Sequence, residues 1–274
     1  MALFWQAALS PWHWRSSVLL VLLLSALAYS LGWLRLRRAG HARLAAGPRL
    51  AAYFAGLAVV AVALLSPLDT FEVLLFWVHM VQHELLMVVA APLILLGSPL
   101  AITLWAAPAP LRPALGALLQ SRSPLRRLFN RITRPVTAWI IATAAVWLWH
   151  IPAAYDAVQT SPLLHDAEHL TFFLTSLLFW WPVTKAPPYV HRTSLLQRLA
   201  YLLAGLTQSG ILGGIITLAG EAIYPHYTAV PRFGSLTPLA DQRIAGVVMW
   251  FISALPLLAA VLILILRSPE TDAL

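Results

Sequence analysis

Cysteine is absent from the 274 residues, and charge is nearly so: Asp, Glu, Lys and Arg together make up 10% of the chain. Without thiols, disulfides, thiolate-based metal transfer and covalent haem attachment are excluded for this chain acting alone. So little charge, against about a quarter in an ordinary soluble domain, combined with 60% hydrophobic residues, also excludes a water-soluble globule. Internal repeats are missing, and no soluble domain interrupts the apolar runs. The glycines of GILGG, Gly210, Gly213 and Gly214, together with Gly220, lack the preceding strand and neighbouring Lys of a phosphate loop. They are expected to serve close helix packing.

What the chain does have is apolar runs near the 20 or so residues that cross a bilayer. They fall at 17–34, 50–68, 71–96, 136–150, 163–183, 195–219 and 244–266. The expected fold is all-α: a polytopic membrane bundle of seven transmembrane helices in the lipid bilayer, forming one domain over 1–274. Pro92 should remove the hydrogen bond to the Val88 carbonyl and kink the third helix, and the GSP at Gly97 to Pro99 should end it. The turns that follow, through Trp105, are expected at the cytoplasmic interface. Tryptophans such as Trp12, Trp14, Trp147, Trp149, Trp180 and Trp181 fall at predicted helix ends, where interfacial anchoring is expected.

A formal charge of +8 invites a nucleic-acid reading, but its distribution argues against one. Fifteen of the eighteen basic residues follow the first, third, fifth and seventh runs: Arg35, Arg37, Arg38, Arg43 and Arg49; Arg112, Arg122, Arg126, Arg127, Arg131 and Arg134; Lys185, Arg192 and Arg198; and Arg267. Only Arg15, Arg232 and Arg243 fall on the other side. The positive-inside rule then puts the N-terminus outside and the C-terminus in the cytoplasm of a bacterial inner (plasma) membrane protein. Acids run the opposite way, with Asp69, Glu72, Glu84, Asp156, Asp166, Glu168, Glu221 and Asp241 outward and only Glu270 and Asp272 inward. Positive charge follows the first apolar run rather than preceding it, so that run is expected to stay as a reverse anchor rather than be cleaved.

Seven of the nine histidines then belong to the outer half: His13, His79, His83, His150, His165, His169 and His226, leaving His41 and His191 inside. Imidazole within a span is costly to desolvate and is usually kept to bind something. The i, i+4 spacing of HMVQH and of HDAEH places His79 with His83, and His165 with His169, on single helical faces. Imidazole donors suit copper, zinc, iron or nickel in an oxidising compartment. The expected ligands are His79, His83, His150, His165 and His169. Met87 would add a soft thioether one turn below His83; Glu84, Asp166, Glu168 and His226 are further candidates, as ligands or as acceptors that fix imidazole tautomers. A helix entering near Phe71 would put His79 roughly 12 Å and His83 roughly 18 Å along its axis, deeper than the surface trio of His150, His165 and His169. The alternative is a polar network that ties helices together without a ligand. Acids beside a helix N-terminus also favour its dipole, a sufficient role for Asp166 and Glu168.

The runs HMVQHELLMVVAAPLILLGSP (79–99), WHIPAAYDA (149–157), HDAEHLTFFLTSLLFWWPV (165–183), YPHY (224–227) and DQRIAGVVMW (241–250) resemble, in order, those of the CtaG family of caa3-type cytochrome c oxidase assembly factors. This is the multi-pass group, distinct from the cysteine-containing copper chaperone of the same name. The resemblance covers roughly residues 50 to 266 and carries over the five histidines and the pair Asp241 and Gln242. It implies a non-enzymatic membrane factor that helps load an oxidase copper centre, with oxidase subunits and a periplasmic copper donor as partners. Tyr224, His226, Tyr227 and the Asp241–Gln242 pair would shape the outer mouth. A haem-binding electron carrier is the first rival, though two histidines on one helical face cannot ligate opposite sides of one porphyrin. A transporter would need ionisable residues in the inner halves of the spans, where almost none occur. A metal-free scaffold for oxidase subunits stays open.

Overall fold

The computed structural model describes residues 12, 14–120, 122–189, 191–231 and 235–266. His13, Arg232, Arg267, Glu270 and Asp272 lie outside the described residues, which are otherwise helices and their connections, without a strand. Among the described residues, five helices are long and apolar enough to cross a membrane, and a sixth results if a pair bent by 70° counts as one span.

Helix α1 (Ser16–Arg38) pairs with α2 (Gly47–Leu65), and a short α3 (Leu68–Phe71) prolongs α2. The expected single helix over 71–96 is broken. The chain turns at 72–75 and restarts as α4 (Phe76–Glu84). The restart has a distant cause: both oxygens of the Asp241 carboxylate accept backbone bonds, from Phe76 N at 3.1 Å and Trp77 N at 3.0 Å. A buried carboxylate there satisfies two of the donors a helix leaves unpaired and favours the positive end of its dipole. His79 therefore sits in the first turn, about 4.5 Å along the axis rather than about 12 Å, and His83 about 10 Å along rather than about 18 Å.

A π-helical turn (Leu85–Ala90) follows and leads into α5 (Ala91–Leu96). In this wider register Ala91 N bonds to Leu86 O, five residues back. Pro92 is next and would face Met87 O, but it has no N–H to give. The indole of Trp180 donates to Met87 O instead, at 3.0 Å. The carbonyl left open is thus one residue earlier than an α-helical register predicts. Trp180 and Trp181 are buried in the core, and Trp181 donates to Ala186 O at 2.7 Å. That overturns the expectation of interfacial anchors for these two.

Helix α6 (Pro99–Thr103) and a 3-10 turn (Leu104–Ala106) fold back against α1. Gly32 allows this approach, since a Cβ there would lie 2.0 Å from Ile102 O. Arg35 donates to the carbonyls of Trp105, Ala106 and Ala107 at the end of the turn. Then come α7 (Arg112–Leu118), α8 (Pro124–Ile132), α9 (Pro135–Trp149), α10 (Pro152–Thr160) and α11 (Pro162–Thr184). The last four begin on proline, whose missing N–H costs nothing in the first turn. Helix α11 has 23 residues, about 34 Å of rise, enough to span a bilayer. Its first turns are polar because they carry His165, Asp166, Glu168 and His169.

Helix α12 (Leu195–Leu218), a single turn α13 (His226–Ala229) and α14 (Pro238–Leu266) complete the fold. The close approach of α12 and α14 runs through Gly213 and Gly246: a Cβ on Gly246 would fall 2.3 Å from Thr217 Oγ1 and 2.6 Å from Gly213 O. Gly214 and Gly220 face open space, so only part of the glycine-rich stretch serves packing. This contact also seats α14 against α4, which is how Asp241 reaches Phe76.

Candidate metal centre

One end of the bundle gathers the turn at 72–75, the first turns of α4 and α11, helix α10 and the 224–227 segment. Tyrosines knit it together. Tyr227 Oη donates to Glu72 O at 2.9 Å and meets Tyr155 Oη at 3.1 Å, while Tyr224 Oη donates to His150 O at 3.1 Å. Gln242 accepts from Ile223 N and donates to Ile216 O and Glu221 O, pinning the loop between α12 and α13. Burial pushes the phenols of Tyr155 and Tyr227 well above their ordinary range, so both remain protonated donors rather than phenolates. Far from shaping an open mouth, Tyr224 and Tyr227 are buried beneath it.

Within this frame α4 supplies His79 and His83, with ring centres 4.1 Å apart, and α11 supplies His165 and His169, 4.3 Å apart. The two pairs face each other: His83 lies 5.1 Å from His169, and His79 lies 5.2 Å from His165. Glu168, one residue before His169, points a carboxylate oxygen between the α4 rings, 3.6 Å from His79 Nε2 and 3.5 Å from His83 Nε2. One donor atom each from His79, His83, Glu168 and His169 lies within 4.8 Å of all the others, and all four residues are buried. Two donors each about 2 Å from a tetrahedral ion stand about 3.3 Å apart. The observed separations are too long for hydrogen bonds and close to those of a shared ion.

Most of the cluster's polar atoms lack a hydrogen-bond partner among the described residues. Of seventeen buried side-chain N and O atoms lacking a hydrogen bond among the described residues, ten are on Glu72, His79, His83, His150, His165, Glu168 and His169. Each such atom costs about 1–3 kcal/mol when left unsatisfied. A network built only to hold helices together would pair its members, and here both nitrogens of His83 and of His169 and both oxygens of Glu168 stay open.

The remaining expected ligands are placed elsewhere. His150 is buried nearby, but its Nδ1 contacts Val146 O at 2.7 Å and its ring centre stays 6.2 Å from that of Phe172, outside the four-donor group. Glu84 points the other way, accepting from Ser253 Oγ at 2.7 Å, with Ser253 bonded in turn to Ser209. Asp166 pairs with Arg15. His226 reaches Val73 O at 2.9 Å through Nε2. Met87 packs in the core with Phe172 and Met249.

Sequence reasoning missed Glu72 as a site residue, seeing it only as one of the outer acids. Burial pushes its carboxyl up to about 7, although the adjacent His79 draws it back down. Tyr155 and Gln159 were also missed: they reach His79 Nδ1 at 2.5 Å and 3.0 Å. The WHIPAAYDA motif contains Tyr155, but nothing in its spacing shows which histidine the hydroxyl meets.

A family model described as cytochrome c oxidase caa3 assembly factor matches residues 27–269. Among curated relatives, an uncharacterized protein of Mycobacterium leprae is 24% identical over 95% of this chain, and one of Mycobacterium bovis is 23% identical over 96%. The chain spans only 40% of the length of each of these relatives. No solved structure matches.

Proposed function

The chain belongs to the cytochrome c oxidase caa3 assembly factor family, and from that premise we propose that it carries copper as cargo, bound by His79, His83, Glu168 and His169, for loading into an oxidase copper centre. The observation that supports this reading is the convergence of four buried donors without hydrogen-bond partners, drawn from two helices. Nitrogen and carboxylate donors suit copper(II), and the absence of thiolates keeps the ion exchangeable, as a donor to another protein needs. A haem reading fits less well, because the donors converge on a point rather than flanking a plane. The partners are oxidase subunits and a periplasmic copper donor.

The proposal includes seven spans, counting the bent pair and α11, in a bacterial inner membrane with the histidine end outside. Fifteen of the eighteen basic residues follow the first, third, fifth and seventh apolar runs in the sequence, which supports that orientation. Because cysteine is absent, single replacements read it directly. Thr160→Cys should react with a membrane-impermeant maleimide on intact spheroplasts, and Gln120→Cys only after permeabilisation. The reverse pattern would overturn the orientation and, with it, copper handling on the outer face.

The copper assignment itself is tested on the purified full chain by metal analysis and an absorption spectrum in one sample. Copper at one equivalent or more, without a Soret band, is expected. A haem spectrum would decide for the electron carrier, and neither copper nor haem after incubation with copper(II) would leave the metal-free scaffold.

A further inference from the structure

Outward of the four-donor group lies a second one. Glu72, from the turn before α4, and His165, from the first turn of α11, converge with His79, one donor atom from each lying within 4.8 Å of the others. Glu72 Oε2 stands 3.5 Å from His165 Nε2 and 3.7 Å from His79 Nδ1. Both Glu72 Oε2 and His165 Nε2 are buried without a hydrogen-bond partner.

We propose that Glu72, His79 and His165 form a second, outer metal station that receives the copper ion first and hands it to the inner station through the shared His79. This rests on the copper reading above. Three features support it. The first is access: the His165 side chain is 13% exposed and that of Glu72 6%, whereas those of His79 and Glu168 are fully buried, so an ion arriving from solvent meets the outer pair first. The second is the divergence of the His79 nitrogens. Nδ1 faces the Glu72 carboxylate and Nε2 the Glu168 carboxylate, so one ring borders both stations. As the ion passes from Nδ1 to Nε2 the ring proton moves the other way, and with both stations filled His79 bridges as an imidazolate, its proton released to solvent.

The third is a gradient of hold. The outer station has three donors against four, and Nδ1 must first give up its contacts with Tyr155 and Gln159 and a longer one, 3.4 Å, with Tyr227. That exchange is tolerable because the Tyr155 hydroxyl keeps Tyr227 at 3.1 Å. The outer station should therefore bind more weakly, by at least the roughly tenfold that loss of even one hydrogen-bond partner behind a ligand costs a metal site. An ion is then drawn inward by affinity alone. No redox step is involved: donors are exchanged around an ion of unchanged charge.

Titration of the purified full chain with copper(II) tests this. Two ions are expected, a tight and a weaker one, and electron paramagnetic resonance at two equivalents should show dipolar broadening and a half-field transition from neighbouring copper(II) ions. Glu72→Gln and, separately, His165→Asn should abolish the weaker ion and the broadening while keeping the tight one. The glutamine is isosteric and His165 reaches the surface, so at least one variant should retain the wild-type thermal transition. His83→Ala should do the opposite, losing the tight ion and keeping the weak one. A single ion in the wild type, unchanged by Glu72→Gln and His165→Asn, would overturn the outer station and leave the proposed function standing. No copper at all in the wild type would overturn both.

Discussion

An oxidase assembled in cells whose only copy of this protein carries His83→Ala and His169→Ala should contain haem but lack copper, with activity no higher than in cells without the protein. Two of the four inner donors are removed, and all of their ring nitrogens are unpartnered in the folded chain. Alanine therefore strands no hydrogen-bond partner. It deletes orphaned polar atoms from a buried site, which offsets part of the cavity that the lost rings leave behind. Metal-free stability should consequently stay close to wild type while metal binding collapses. If the histidines were a structural network, the order would reverse, with stability lost and copper retained. The comparison needs copper per haem and turnover of the isolated oxidase, with His191→Ala as the control, since His191 lies away from the site with Nε2 on Asn130 O at 2.8 Å. An oxidase with normal copper in the double variant would sink the cargo assignment.

Asp241→Ala should give the largest loss of stability, about 3–5 kcal/mol, and should remove copper binding although Asp241 is not one of the proposed ligands. Its buried carboxylate accepts from Phe76 N and Trp77 N, and hydrogen bonds to a charged group contribute about 1.5–3 kcal/mol each. Without it the first turn of α4 has two open donors and no anion at its positive end, so the start of the helix, and with it His79, loses its register. Asp241→Asn retains one acceptor oxygen and should fall between. Thermal unfolding with and without copper(II) separates this variant from the histidine double: Asp241→Ala loses stability in both conditions, the double only the increment that metal adds. A metal-free stability for Asp241→Ala within about 1 kcal/mol of wild type would show that Asp241 does not position α4.

What the sequence by itself determined lies in local periodicity and composition. Apolar runs set a helical membrane-type chain, prolines mark where helices begin, and the i, i+4 spacing puts each histidine pair on one face, because these depend only on helix geometry and solvation. The ordered motifs also placed the chain in its family. What only the tertiary structure decided depends on residues far apart in the chain. The apolar stretch over 71–96 looks continuous, but Asp241, 165 residues from Phe76, restarts the helix and lifts His79 to the level of His165. Tandem tryptophans at a helix end look interfacial, yet Pro92 leaves Met87 O open and Trp180 turns inward to fill it. His150 is among the expected ligands and Glu84 directly follows His83, yet neither joins the converging group: His150 Nδ1 meets Val146 O, and Glu84 accepts from Ser253. A hydrogen bond is chosen by which groups meet in three dimensions, so the spacing of residues along the chain could nominate the ligands but could not tell which of them converge.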